Sequence, residues 1–176
     1  ILTANFSNGT QLNLRDAIRL MISHSDNTAT NLVLDRVGLQ AVNAEMARLG
    51  HKNTKIYSKV FRRDTSIDPA GSRKYGLGST TASEMIQLLE QLHAKKLVSE
   101  TASQAMLEHL YRCEDKSKIL RRLPEGTKVA HKTGSVSRSR CDAGIVQTAA
   151  GPFAICVLTS ENEDRSWSNS NAAERL

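Results

Sequence analysis

Lys128-Val129-Ala130-His131-Lys132-Thr133-Gly134-Ser135-Val136 follows the break Pro124-Glu125-Gly126 and turns the chain from helical pattern to strand. The spacing predicts three successive strands, Lys128–Val136, Cys141–Ala149 and Pro152–Ser160, the last two joined by a turn at Ala150-Gly151. Phe153 to Leu158 is apolar on both alternating faces, so this strand is expected to be covered on both sides. A turn that paired residue 149 with 152 would set Cys141 opposite Ser160 and Cys156 opposite Ile145, too far apart for a bridge.

Upstream of that break the chain reads helical. Asn13 caps a run in which Leu14, Ala17, Ile18, Met21 and Ile22 recur at helical spacing, and Asp16 in the first turn suits the helix dipole. That run stops near His24-Ser25. A second helix is predicted over Ala29–Val37 with Gly38 at its end, and a third over Leu39–Leu49 with Gly50 beyond it. Residues 51–79 carry Pro69, Gly71, Gly76 and Gly78 with little periodicity, and read as a long loop of the kind that is functional or mobile. Thr81 and Glu84 then form a capping box before Met85, Ile86, Leu88, Leu89 and Leu92. Ser99 caps a helix carrying Ala102, Met106, Leu107 and Leu110, and a short basic turn spans Ile119–Leu123. A last helix is expected to start at Ser168 or Asn169.

Composition narrows the classes. Of 176 residues, 39% are hydrophobic and 24% charged, which excludes a disordered chain, a collagen and a membrane span. No window reaches the length of a transmembrane helix. The formal charge is +6, but the densest basic cluster (Arg62, Arg63, Arg73, Lys74) is interrupted by Asp64 and Asp68. Those cations read as a solvated face, and no nucleic-acid partner is expected. Cys113, Cys141 and Cys156 form no C-x-x-C, and the five histidines form no H-x-x-x-H pair, so no zinc site is expected.

Two tripeptides stand out, Ser25-Asp26-Asn27 between helices and Lys132-Thr133-Gly134 within a strand. Singly, each has a structural explanation: helix-capping residues for the first, an edge strand with a protective lysine for the second. Together and in this order they carry a resemblance. The chain is similar to the penicillin-recognising serine hydrolases, above all the class A β-lactamases, from about Leu12 to Ala173. The similarity extends through Asp26-Asn27-Thr28-Ala29-Thr30-Asn31-Leu32, through Gly78-Ser79-Thr80-Thr81, and from His131-Lys132-Thr133-Gly134-Ser135-Val136-Ser137 to Asp142-Ala143-Gly144-Ile145-Val146.

The resemblance implies roles. Ser25 would pass a proton to the leaving nitrogen, with Lys132 as the neighbouring cation. Asn27 would hold a substrate amide and touch the catalytic lysine. Asp26 would point inward and pin the bend. Thr133 and Ser135 would bind a substrate carboxylate, and the Ser135 N–H would be an oxyanion donor. Gly134, lacking a Cβ, would let substrate approach the strand edge.

Two departures qualify that reading. The family's nucleophile sits in Ser-x-x-Lys, and no serine of this chain has lysine three residues later. Ser135-Val136-Ser137-Arg138 comes nearest, and arginine cannot act as the base. The family's loop glutamate, which activates the deacylating water, is also missing: residues 51–79 hold only Asp64 and Asp68, expected to pair with Arg62, Arg63 or Arg73.

The expected fold is α+β, a single partial β-lactamase-like domain whose N- and C-terminal parts are missing. Its helical subdomain, from about 12 to 125, packs on an antiparallel sheet with helices on both faces; the sheet portion and the start of the final helix occupy about 126–176. The expected activity is acyl-enzyme hydrolysis of a β-lactam or a D-Ala-D-Ala-type amide, with Ser25 and Lys132 catalytic and Asn27, Thr133, Gly134 and Ser135 binding substrate. No metal or organic cofactor is expected. The Ser-x-x-Lys would come from a preceding segment or a second chain, and residues 1–176 alone are expected to be inactive. The competing reading is a non-catalytic module that binds peptidoglycan peptides or a partner protein. No export segment is visible, yet the resemblance implies a periplasmic or secreted location.

Overall fold

A computed structural model describes residues 1–168 and 170–174. It divides into two compact units, Ile1–Glu84 and Met85–Leu176. Among the described residues no helix is long and apolar enough to cross a membrane.

The first unit opens with a short helix, α1 (Leu2–Asn5), too brief to leave a periodic signal in the sequence. Helix α2 (Leu14–Ser23) starts as expected, with Asn13 Oδ1 accepting from the Asp16 N–H at 2.9 Å. Helix α3 (Asn27–Val37) starts two residues before the apolar spacing suggests, because Asp26 caps it: Oδ1 accepts from the Ala29 N–H at 2.7 Å. Gly38, at φ 86°, closes α3 and leads directly into α4 (Leu39–Arg48). Helices α2 and α3 pack together, burying Ala17, Ala29, Val33 and Leu34.

Residues 51–79 are more ordered than a bare loop. Strand β1 (Lys55–Ile56) pairs antiparallel with β2 (Gly78–Ser79), and α5 (Pro69–Tyr75) lies between them in sequence. Asp68 caps α5 through the Gly71 N–H at 2.9 Å, and Pro69 occupies the first helical turn. The helix escaped the sequence reading because its seven residues include Gly71 and present no apolar stripe. Side-chain amides hold the rest. Asn43 donates to Ile56 O (2.9 Å) and accepts from Ile56 N (2.8 Å), and Asn31 does the same with Val60 (3.1 and 2.8 Å). Arg62 grips Asp64 at 2.7 Å as expected, whereas Asp68 is spent as a cap.

The capping box is only half made. The Glu84 N–H donates to Thr81 Oγ1 (3.2 Å), but the carboxylate reaches Asn53 N (3.0 Å) and Thr54 Oγ1 (2.7 Å), tying down the start of the loop. Helix α6 (Ala82–His93) begins at this point.

In the second unit, Ser99 caps α7 (Glu100–Leu110) through the Ala102 N–H at 3.1 Å. A 3₁₀ turn at Ile119–Arg122 precedes Pro124. Strands β3 (Val129–Val136), β4 (Ser139–Val146) and β5 (Phe153–Leu158) form an antiparallel sheet in the order β3-β4-β5. Helix α7 lies against β3, and Leu107, Val129, Ala130, Ile145 and Val146 are buried.

The β4–β5 register differs by two residues from expectation: Val146 faces Phe153, Cys141 faces Leu158 and Ala143 faces Cys156. The connection closes on itself through Gly151 N to Thr148 O (3.1 Å) and Thr148 Oγ1 to Gly151 O (2.6 Å), which ends both strands early. A shift of two keeps every side chain on its face, and all three cysteines are free. Strand β5 is not covered on both sides. Among the described residues β4 is its single partner, and residues 154–157 are only half-buried. In place of a final helix from Ser168, the described residues show a 3₁₀ turn at Ala172–Glu174; Asn169, the alternative cap, lies outside them.

Candidate active site

The residues singled out in the sequence fall in both units. In the first, the bend between α2 and α3 presents Ser25 and Asn27 to solvent while Asp26 is buried. Ser25 has φ 53°, the left-handed region that costs a residue with a Cβ about 1 kcal/mol or more. Asp26 sustains that bend. Besides capping α3, its Oδ2 accepts from the Leu2 N–H at 2.9 Å. Its two oxygens are both taken up by backbone N–H groups, which leaves Ser25 and Asn27 as the exposed residues of the bend.

In the second unit, Lys132, Thr133, Gly134 and Ser135 lie on β3, an edge strand among the described residues. Lys132 is half-buried, and its Nζ donates to Thr133 O at 2.6 Å. Burial lowers the Lys132 pKa, an effect that Cys113, Asp115 and Asp142 oppose and Lys118 reinforces. Thr133 is buried, pairs across strands with Asp142, and sets its hydroxyl against Asp115. Ser135 and Gly134 are exposed.

Gly134 and Gly144 show what each glycine is for. A Cβ on Gly134 would meet only Cys141 Cβ, at an ordinary 3.9 Å, so the chain's own packing does not demand glycine there. A Cβ on Gly144 would come within 2.5 Å of His131 Cβ and 2.6 Å of Ala130 O. Gly144 is a packing requirement, while Gly134 keeps open space beside an exposed strand.

The sequence reading passed over a set of polar residues behind β3. His131, 1% exposed, sets Nδ1 3.0 Å from Asp142 Oδ1, and Asp142 Oδ2 accepts from the Ile119 N–H at 3.1 Å. Burial lowers the His131 pKa, but Asp142 and then Cys113 overcome it, raising the imidazole to about 9. Asp115, which burial would raise, is held well below the carboxylate range by Ser117, Thr133 and Lys118. One available signal was an aspartate among apolar residues in the middle of a strand. Arg140 is likewise buried, bonded to Glu174 at 3.1 Å and stacked on Trp167 at 4.7 Å.

Comparison with known proteins fits these features. The family model described as "Beta-lactamase enzyme family" matches residues 1–176. A beta-lactamase from Sphaerobacter thermophilus has 30% identity and a TM-score of 0.82, with 97% of this chain and 62% of that one covered. The TLA-3 extended-spectrum beta-lactamase has 26% identity and a TM-score of 0.80, with 92% and 61% covered. A beta-lactamase from Chitinophaga pinensis has 25% identity and a TM-score of 0.80, with 94% and 62% covered. The chain thus spans about three fifths of the length of these relatives. No curated protein matches it.

Proposed function

This chain belongs to the beta-lactamase enzyme family, and from that premise we propose that it is part of a serine acyl-transfer hydrolase acting on β-lactams or D-Ala-D-Ala-type amides. Residues 1–176 form part of a single catalytic domain, and the attacking serine, in Ser-x-x-Lys, lies outside them. Ser25 relays the proton to the departing nitrogen. Lys132 is the cation that the family pairs with this serine, and the burial that depresses the lysine favours proton sharing. Asn27 holds the substrate's side-chain amide, Thr133 and Ser135 bind its carboxylate, Ser135 N–H helps hold the oxyanion, and Gly134 makes room. The protein works outside the cytoplasmic membrane, periplasmic or secreted, where such substrates are met.

The observation that carries this reading is the bend itself. A buried, fully bonded Asp26 holds Ser25 in a left-handed conformation and leaves the serine hydroxyl and the Asn27 amide exposed. Without a glutamate in residues 51–79, deacylation has no positioned base, so the acyl-enzyme is long-lived.

Labelled penicillin tests the proposal. The full-length protein is expected to form a covalent adduct that persists for many minutes, and residues 1–176 alone are expected to form none. An adduct on residues 1–176 would refute the placement of the nucleophile. A full-length protein that binds peptidoglycan peptide but never acylates would favour the binding module.

A further inference from the structure

Cys113, just beyond α7, lies beside the buried His131 and shares a groove with it. His131 Nδ1 is committed to Asp142, while Nε2 is buried without a hydrogen-bond partner. An unpartnered buried nitrogen costs roughly 1–3 kcal/mol, which a structural histidine would normally avoid. Cys113 and His131 both line an open groove of about 690 Å³, together with Tyr111, Lys116, Lys128 and Gln147. The groove lies wholly within the second unit. Gln147 Nε2 braces its wall on Tyr111 Oη at 2.8 Å, and Gly144 lets β4 pass close to the His131 Cβ.

Other readings of the cluster fit less well. Among the described residues no three His, Cys, Asp or Glu side chains could hold a metal ion. A disulfide is absent too, since Cys113, Cys141 and Cys156 are all free. What remains is the nucleophile–base–orienter order of a thiol site: thiol, imidazole and a carboxylate that fixes the imidazole.

We propose that Cys113, His131 and Asp142 form a thiol-exchange site that takes a small anionic disulfide from the groove between Lys116 and Lys128. The Cys113 proton passes to His131 Nε2, and the thiolate attacks one sulfur of the disulfide. A new S–S bond forms to Cys113 as the old one breaks. The other half leaves as a thiolate carrying the electron pair, so the disulfide is the oxidant and nothing further is consumed. Electrostatics agree with the geometry. Burial works against the Cys113 thiolate, yet His131, with smaller help from the Asp115 N–H and Lys132, brings the thiol below its ordinary value. Facing the thiol–imidazole pair are Asp142 and Lys132 from the sheet and the Asp115 N–H from the segment after α7.

The probe is dithiobis(nitrobenzoate), a dianionic aryl disulfide, on the wild-type chain with peptide mapping of the labelled cysteine. Cys113 is expected to label first, with a rise in rate between pH 6 and 8 clearly smaller than the roughly hundredfold of an ordinary thiol, because His131 brings its pKa below the ordinary value. Cys156, whose thiol burial pushes up, is expected to speed up by about tenfold per pH unit. At low salt the dicationic disulfide cystamine should react with Cys113 at least about tenfold more slowly, a difference that shrinks as salt is added. His131→Gln should restore the ordinary pH dependence and slow labelling at pH 6 by about tenfold or more. Should His131→Gln fail to fold, the wild-type pH profile decides the matter alone. Cys113 labelling last, or accelerating tenfold per pH unit, would overturn the site. Equal rates with cystamine would overturn the anionic ligand.

Discussion

The Ser25-Asp26-Asn27 bend and the Lys132–Ser135 strand are built on opposite principles. At the bend, one side chain does the positioning: Asp26 caps the helix that follows it, bonds Leu2, and holds a serine in a conformation serine disfavours. Along the strand no single residue dominates. Lys132, Thr133 and their neighbours are placed by a cross-strand ladder and by charges from three segments, Asp115 and Cys113 after α7, His131 on β3 and Asp142 on β4. A site with one anchor breaks in one step; a site with distributed anchors degrades gradually and responds to pH.

The sharpest way to break that contrast is Asp26→Ala. It strands the Ala29 and Leu2 N–H groups in a buried setting, and should cost about 3 kcal/mol by urea denaturation. Asn, which keeps an acceptor at the cap, should recover part of the loss. A cost below about 1 kcal/mol would mean that the bend has other supports.

The distributed anchor predicts a titration. His131 is raised from 6.5 to about 9 in the folded chain, so its contribution is complete below pH 6.5 and is lost as pH rises through about 9. The effect should be on the order of 2 kcal/mol. Cys113→Ala, which removes one of the two groups that raise the imidazole, should keep the sign of the effect and reduce its size. Asp142→Asn should flatten the profile, and an unchanged slope would place the interaction elsewhere.

Much of the bend was legible in the sequence, and little of the back of the strand. Caps and helix stops are local: Asn13, Ser99 and Gly38 act within a turn of themselves, and their residue types announce it. The order Ser-Asp-Asn then Lys-Thr-Gly was likewise readable. The pairing of Cys113, His131 and Asp142 was not, because it depends on which helix covers the sheet and on a diagonal contact between strands. Residues 51–79 hid α5 for a different reason. Their order comes from Asn31, Asn43 and Glu84, polar side chains that leave no periodic trace. The two-residue register error at β5 arose from a turn closed by the Thr148 side chain, which strand alternation does not reveal.

Two glycines on the same sheet sharpen the comparison further. Gly144→Ala must push against His131 Cβ and the Ala130 carbonyl, and should cost about 2 kcal/mol. Ser25→Gly should do the reverse at the bend, stabilising the first unit by up to about 1 kcal/mol as it relieves the positive φ while deleting the hydroxyl. Gly134→Ala should be the mildest, within about 0.5 kcal/mol of wild type, since its Cβ meets only an ordinary contact. Denaturation midpoints that reversed the order of the two glycines would show that Gly134 serves packing and not access.

The most direct test of the central claim is the rate at which the full-length protein is acylated by penicillin, followed by intact mass, in wild type, Ser25→Gly and Lys132→Gln. If a serine on the bend and a lysine on the strand share one proton route, either change should slow acylation by about 10²–10⁴-fold, with the double variant little slower than the worse single. Acylation at the wild-type rate in both single variants would contradict the account.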